Sequence, residues 1–181
     1  MRMSARLPVA AILVLAFGLG NTASAADRLF TAYNMWFESP QKMYSTNYQK
    51  GNLLPAGSEV KDVNRSSRKV EFVDAKSNTK FTIEFVGKHH PGVKPEQWID
   101  RLLTTRDFSA LTRGLTADEI KAIKAGEVKA GMSKKAVLVS LGYPPEVATA
   151  SPDLDIWKFW RDRFRNYLVK FTDGKVSSSE Q

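Results

Sequence analysis

Met132-Ser133-Lys134-Lys135-Ala136-Val137-Leu138-Val139-Ser140-Leu141-Gly142-Tyr143-Pro144-Pro145 is a helix with both of its ends written into it. Ser133 stands at the N-cap, where a hydroxyl accepts an N–H of the first turn. Met132, just before the cap, is placed to staple against Val137. Gly142 stands where a left-handed residue closes a helix. Pro144 and Pro145 bar any continuation. The helix is therefore predicted over Lys134 to Leu141, entered through Gly131 as a tight backbone position.

Working outward, Asp155 to Trp160 and Asn166 to Phe171 both alternate with a period of two. Tyr167, Val169 and Phe171 fall on one face, and Trp157 and Phe159 point away from Trp160. Thr172-Asp173-Gly174 signals a tight turn into a last short strand at Lys175-Val176. Ser177 to Gln181 is polar and expected to fray. Upstream, Thr116-Ala117-Asp118-Glu119 is a capping box ahead of Ile120 and Ile123, and Gly126 ends that helix. The order is helix, helix, strand, strand, strand. Three strands cannot bury a face alone, so the helices are expected to pack across them. Each large side chain buried there contributes about 1.5–3 kcal/mol.

Farther upstream the pattern changes. Pro95 suits a first helical turn, and Trp98, Ile99, Leu102 and Leu103 form one stripe. From Leu29 to about Val86 the period is two. Arg68 to Val73 and Lys80 to Val86 are the clearest strands, with a polar hairpin between them; Ser58 to Val63 and Leu29 to Phe37 are further candidates. Leu53-Leu54-Pro55-Ala56-Gly57 punctuates a turn. Short strands at this density suggest a small antiparallel barrel.

Two resemblances follow from these residues. Gly131-Met132-Ser133, Val137, Leu141-Gly142-Tyr143-Pro144, Trp157-Lys158-Phe159-Trp160 and Val169-Lys170-Phe171-Thr172-Asp173-Gly174-Lys175-Val176 together resemble the SmpA/OmlA family of BamE-like outer-membrane proteins. That resemblance implies an αα-βββ domain and a non-enzymatic role as an accessory of outer-membrane protein assembly. The chain lacks the N-terminal Cys that anchors the family's best-known members. The Leu-Pro-Ala-Gly-Ser-Glu-Val run followed by a hairpin is loosely similar to bacterial SH3-like modules. The expected fold class is thus α+β: residues 1–25 a signal peptide, 26–92 a small SH3-like antiparallel barrel, 93–115 a helical linker, and 116–181 a BamE-like αα-βββ module.

The signal peptide rests on Arg2 and Arg6, the apolar run Val9 to Leu19, and Ala23-Ser24-Ala25 as a small-residue cleavage site. That run is too short for a span, which needs about twenty residues. The expected location is the periplasm, peripheral at the outer membrane, with no transmembrane span in the mature chain. Lys and Arg number 27 against 19 Asp and Glu, and there is no Cys. Disulfides, thiolate metal sites and Cys nucleophiles are excluded. Export turns the basic charge away from nucleic acid and toward anionic lipid head groups and acidic proteins.

No G-x-S-x-G, H-E-x-x-H, P-loop or G-x-G-x-x-G occurs. His89-His90 are adjacent, so they diverge and cannot form an i, i+4 metal pair; they read as a loop end before Pro91. No catalytic, cofactor or metal residues are assigned, and no cofactor is implied. The candidate binding residues are Trp160, Arg161, Arg163, Phe164 and Arg165, at a hairpin turn. From Lys158 to Lys170 there are five positive charges and one negative. Such a turn suits a protein partner, where Trp and Arg carry binding energy. It suits anionic head groups, or simply a solvated tip with Arg stems packed on rings. Gly131, Met132, Gly142, Pro144, Trp157 and Gly174 are assigned structural roles. Lys121, Lys124, Lys129, Lys134 and Lys135 read as a solvated helix surface, and Asn34, Trp36, Tyr44 and Tyr48 as a candidate groove. The function expected is an envelope-binding or scaffold protein with envelope or outer-membrane proteins as partners. The alternative is a periplasmic module of SH3-like type that binds peptidoglycan or peptide.

Overall fold

The run from Leu29 to Phe37, continuous in its pattern, is broken in the computed structural model of the chain, which describes residues 28–180. The segment read as a signal peptide lies outside the described residues. Strand β1 (Leu29–Thr31) and strand β2 (Met35–Phe37) belong to different sheets. Asn34 makes the break. It is buried to 1% exposure, its amide donates to the Ile123 carbonyl at 2.7 Å, and its side-chain oxygen accepts the Ala56 N–H at 2.8 Å. A buried amide with these partners saturates the backbone groups that a continuing strand would have left unpaired.

The remaining strands are β3 (Met43–Tyr44), β4 (Asn52–Leu54), β5 (Glu59–Arg65), β6 (Lys69–Asp74), β7 (Lys80–Glu84), β8 (Leu103–Thr104), β9 (Ile156–Trp160), β10 (Asn166–Thr172) and β11 (Lys175–Glu180). The helices are α1 (Pro95–Leu102), α2 (Phe108–Leu111), α3 (Ala117–Ala125) and α4 (Lys134–Leu141), with a 3-10 turn at Gly87–His89. A curled six-stranded sheet runs β3-β7-β6-β5-β1-β8. It is mixed, because β3 pairs parallel to β7. β2 and β4 form a two-stranded ribbon, and β9, β10 and β11 a separate antiparallel sheet with β10 in the middle.

The expected fold class does not hold. The N-terminal part is not a small antiparallel barrel but five strands of a six-stranded mixed sheet, and the stretch read as a helical linker supplies its edge strand β8. The C-terminal region is a three-stranded sheet rather than a BamE-like αα-βββ module. The helices α3 and α4 share a core with that sheet but do not close a separate module with it, because N-terminal residues enter the same core. Asn34 N–H donates to the Val139 carbonyl and Asn47 Nδ2 to the Leu141 carbonyl, so α4 is bonded to the N-terminal half. Ala56 joins the same core as Ile123, Val137, Trp157, Phe159, Val169 and Phe171. Periodicity marks each strand and helix, but pairing partners far apart in the chain leave no periodic trace.

The second core gathers Met35, Val60, Val70, Phe72, Phe81, Ile83, Trp98, Ile99 and Leu102. It lies between the inner face of the six-stranded sheet and the stripe of α1. Phe81 packs on Phe72 with centroids 5.6 Å apart and on Phe37 at 5.1 Å.

The last strand is longer than expected. Its pairing with β10 continues past a bulge at Lys170/Phe171, where Ser177 is the extra residue, to Leu168 opposite Glu180, so Ser178 and Ser179 are laddered rather than frayed. Backbone pairing does not require apolar side chains once a neighbouring strand is fixed. The turn is as read: Thr172 pairs with Lys175, and Asp173 (φ 50°) and Gly174 (φ 71°) are both left-handed, as a two-residue hairpin demands.

Candidate functional site

The β9–β10 hairpin presents the expected binding residues at its tip. The inner face of both strands is buried, with Trp157, Phe159, Tyr167, Val169 and Phe171 in the core. Trp157 Nε1 donates to the Leu154 carbonyl at 2.8 Å. The register sets Asn166 opposite Trp160, Leu168 opposite Lys158 and Lys170 opposite Ile156, so these residues share the outer face. Trp160 is half-buried there, its indole Nε1 enclosed without an acceptor among the described residues.

Asp162 organises the tip. Its carboxylate accepts the N–H groups of Phe164 and Arg165 at 2.9 Å each and pairs with the Arg165 guanidinium at 2.7 Å. The Phe164 N–H, the Arg165 side chain and the Arg165 N–H hold this carboxyl down at about 2. The Arg161 N–H closes the turn on the Arg165 carbonyl, and its guanidinium lies 5.5 Å over the Tyr167 ring. Arg163 sits 5.4 Å over the Phe164 ring, and Phe164 is 83% exposed.

Sequence reasoning did not single out the exposed apolar residues that precede and open β9. Val147, Leu154, Ile156 and Phe164 are the exposed large hydrophobic residues among those described, and all lie between 147 and 164. The signal was present in Ser151-Pro152-Asp153-Leu154-Asp155-Ile156, where large apolar residues alternate with acids ahead of a strand. Lys134 ties that segment down, donating to the Asp153 carbonyl at 2.8 Å and pairing with Asp155 at 3.1 Å.

The structural residues are placed as follows. Gly131 N–H donates to the Val176 carbonyl, and Val176 N–H to the Met132 carbonyl, each at 2.8 Å, so the entry to α4 is stitched onto β11. Met132 is buried in the core and Pro144 is buried. Ser133 caps α4 through the Ala136 N–H. Gly142 has φ 78° and ψ −169°, which is outside the left-handed helical region expected and open essentially to glycine alone. The capping box on α3 forms as read, and Glu119 does more than cap. Its second oxygen accepts the Ser133 N–H at 2.7 Å, and Lys175 stands 3.7 Å away. Burial alone would raise this carboxyl. The Thr116 and Ser133 donors and the Lys175 charge outweigh it and hold it at about 2.

The histidines are not a plain loop end. His90 is buried, with Nδ1 2.6 Å from Glu146 Oε2 and Nε2 2.9 Å from Ser45 Oγ; Arg101 donates to Glu146 Oε1 at 2.6 Å. An ionised carboxylate only accepts, so Nδ1 carries a proton. The order Ser, His, Glu is that of a nucleophile, base and orienting acid. Here Ser45 Oγ also accepts the Val86 N–H at 3.0 Å, and both Ser45 and His90 are buried. The cavity that adjoins the chain takes Arg101 into its wall but neither Ser45 nor His90. What the four residues do is brace β3, the 3-10 turn, α1 and the loop after α4 against one another. The acid was invisible in sequence because Glu146 lies far from His90 in the chain.

Three of the four groove residues, Trp36, Tyr44 and Tyr48, line a cavity of about 100 Å³, whereas Asn34 is structural. Of the lysines, Lys124 lies 5.6 Å over the Phe108 ring and Lys135 donates to the Arg113 carbonyl, so that surface is partly tied down. No cluster of metal-ligating side chains occurs, and no helix is long and apolar enough to cross a membrane, among the described residues. No family model, curated protein or solved structure matches the chain.

Proposed function

We propose that the protein is an exported cell-envelope protein that works by binding rather than by chemistry, and that the outer face and tip of the β9–β10 hairpin is its docking surface. One observation carries this reading. Phe164, the most exposed large hydrophobic residue among those described, stands in a loop bearing Arg161, Arg163 and Arg165, and Ile156 lies on the outer face of the same hairpin. A solvated tip needs its arginines but not an outward Phe164. A protein partner with an acidic rim and an apolar pocket uses both, with the aromatic ring filling the pocket and the guanidinium groups steering approach. The similarity to SmpA/OmlA proteins adds an envelope or outer-membrane protein as the partner and an accessory role in assembly or envelope integrity.

The test is a pull-down from cross-linked envelopes with the native chain and with Arg163→Glu/Arg165→Glu. Both side chains are exposed, so the variant is expected to keep its circular dichroism spectrum and lose its partner. Recovery of the same proteins by both chains would end the proposal.

The second reading, a peptidoglycan or peptide binder, has one feature in its favour. A groove of about 780 Å³ runs between the turn after β4 and the β6–β7 hairpin, with Phe37, Leu53 and Phe81 in its wall. Co-sedimentation with peptidoglycan tests it. The chain from Ala26 onward is the right material, because β8 lies outside residues 26–92 and completes their sheet.

A further inference from the structure

A second site lies where the two cores meet. A cavity of about 380 Å³ opens between the turn after β1, α1, β8 and α4. Its apolar wall includes Leu111 and Leu138. Its polar wall carries three cations, Arg101, Arg106 and Lys135, against one acid, Asp100. That acid is engaged by Arg65 at 3.0 Å, and Arg101 by Glu146. Arg106 has no ion-pair partner among the described residues, and Lys135 meets only a carbonyl, so two positive charges face the opening uncompensated.

The independent observation is Tyr33. Its ring is 95% buried and lines the cavity, edge-on to Tyr143 at 6.4 Å. Its hydroxyl makes no hydrogen bond to any described residue. Burial pushes this phenol well above its ordinary pKa, so it stays a neutral donor. The hydroxyl is not among the enclosed polar atoms left without a partner, so it is open to the cavity and free to donate to a group bound there. The backbone is cut to admit the ring: a Cβ on Gly142 would come within 2.7 Å of it.

We propose that this cavity binds a small amphiphilic organic anion, its acidic head held by Arg106 and Lys135 and by the Tyr33 hydroxyl, its apolar body against Leu111 and Leu138. The volume suits a ligand of modest size. Carboxylate and phosphate heads share the required chemistry. The site shares no lining residue with the β9–β10 hairpin and stands independently of it.

The experiment is calorimetric titration of the chain with decanoate, decyl phosphate and decanol, each below its micellar concentration. Saturable binding of one or both anions, with none for decanol, is expected; whichever anion binds assigns the head group. Arg106→Gln/Lys135→Gln alters two exposed side chains and should weaken binding at least tenfold. Tyr33→Phe keeps the ring and should weaken it roughly 3- to 10-fold, the worth of one hydrogen bond. No saturable binding, equal binding of decanol, or binding unchanged in the double variant would overturn the proposal. The double variant decides the matter even where Tyr33→Phe lowers stability.

Discussion

Gly142 is held by two separate demands. Its φ and ψ lie where a side chain is strained, and the Tyr33 ring fills the space a Cβ would need. Gly174 meets only the first demand, since nothing lies within 4 Å of its missing Cβ. Gly142→Ala should therefore cost more than Gly174→Ala, about 3 kcal/mol against about 1 in urea denaturation. Equal costs would mean that Tyr33 moves aside freely. Glu119 makes a prediction in pH. Its folded pKa is depressed to about 2, below its unfolded value near 4.5, so its stabilising effect is present above about pH 5 and is lost as pH falls toward 2. Glu119→Gln should lower stability at pH 7 by on the order of 2–3 kcal/mol. The gap to the native chain should close as the pH is lowered through that window. A gap constant from pH 7 to pH 2.5 would assign the effect to packing instead of charge.

At the scale of elements, ends with local chemistry were legible and ends fixed by a neighbour were not. Ser133, Thr116 with Glu119, and Asp173-Gly174 each close their element through bonds within a few residues, and each was readable. The continuation of β11 through Ser177 to Ser179 depends on β10 lying alongside. The two-residue strand β8 depends on β1. Neither leaves a pattern in its own residues. The division of Leu29 to Phe37 hinges on Asn34, whose partners Ala56 and Ile123 are distant in the chain. The hairpin tip was legible as a cluster of Arg and aromatic residues, but the bonds of Asp162 were not. Asp162→Ala should leave the overall dichroism unchanged while the amides of Phe164 and Arg165, which it accepts, exchange with solvent faster. Unchanged exchange would show that the strands alone hold the loop.

Over the whole molecule, the two cores are joined by polar braces rather than by a linker. Asn34 and Asn47 bond backbone of α3 and α4, and Glu146 closes the chain from Ser45 through His90 to Arg101. Sequence order suggested consecutive modules, because a brace between residues so far apart in the chain has no local signature. The expected consequence is one cooperative unit: by native-state hydrogen exchange, β6 and β10 amides should open with the same free energy. A lower value for one sheet would mean two independently folding parts. Asn34→Ala strands the buried Ala56 N–H, while the Ile123 carbonyl keeps the Gly126 N–H, and should cost about 2 kcal/mol, felt in both sheets alike.

The docking surface is tested most directly by a photo-cross-linking residue placed at position 164 in the living envelope, with a second at Asp62, exposed on β5, as the reference position. A discrete adduct with an envelope protein from 164 and none from 62 is the expected result, abolished by Arg163→Glu/Arg165→Glu. The same adducts from both positions, or none from 164 while 62 captures a partner, would contradict it.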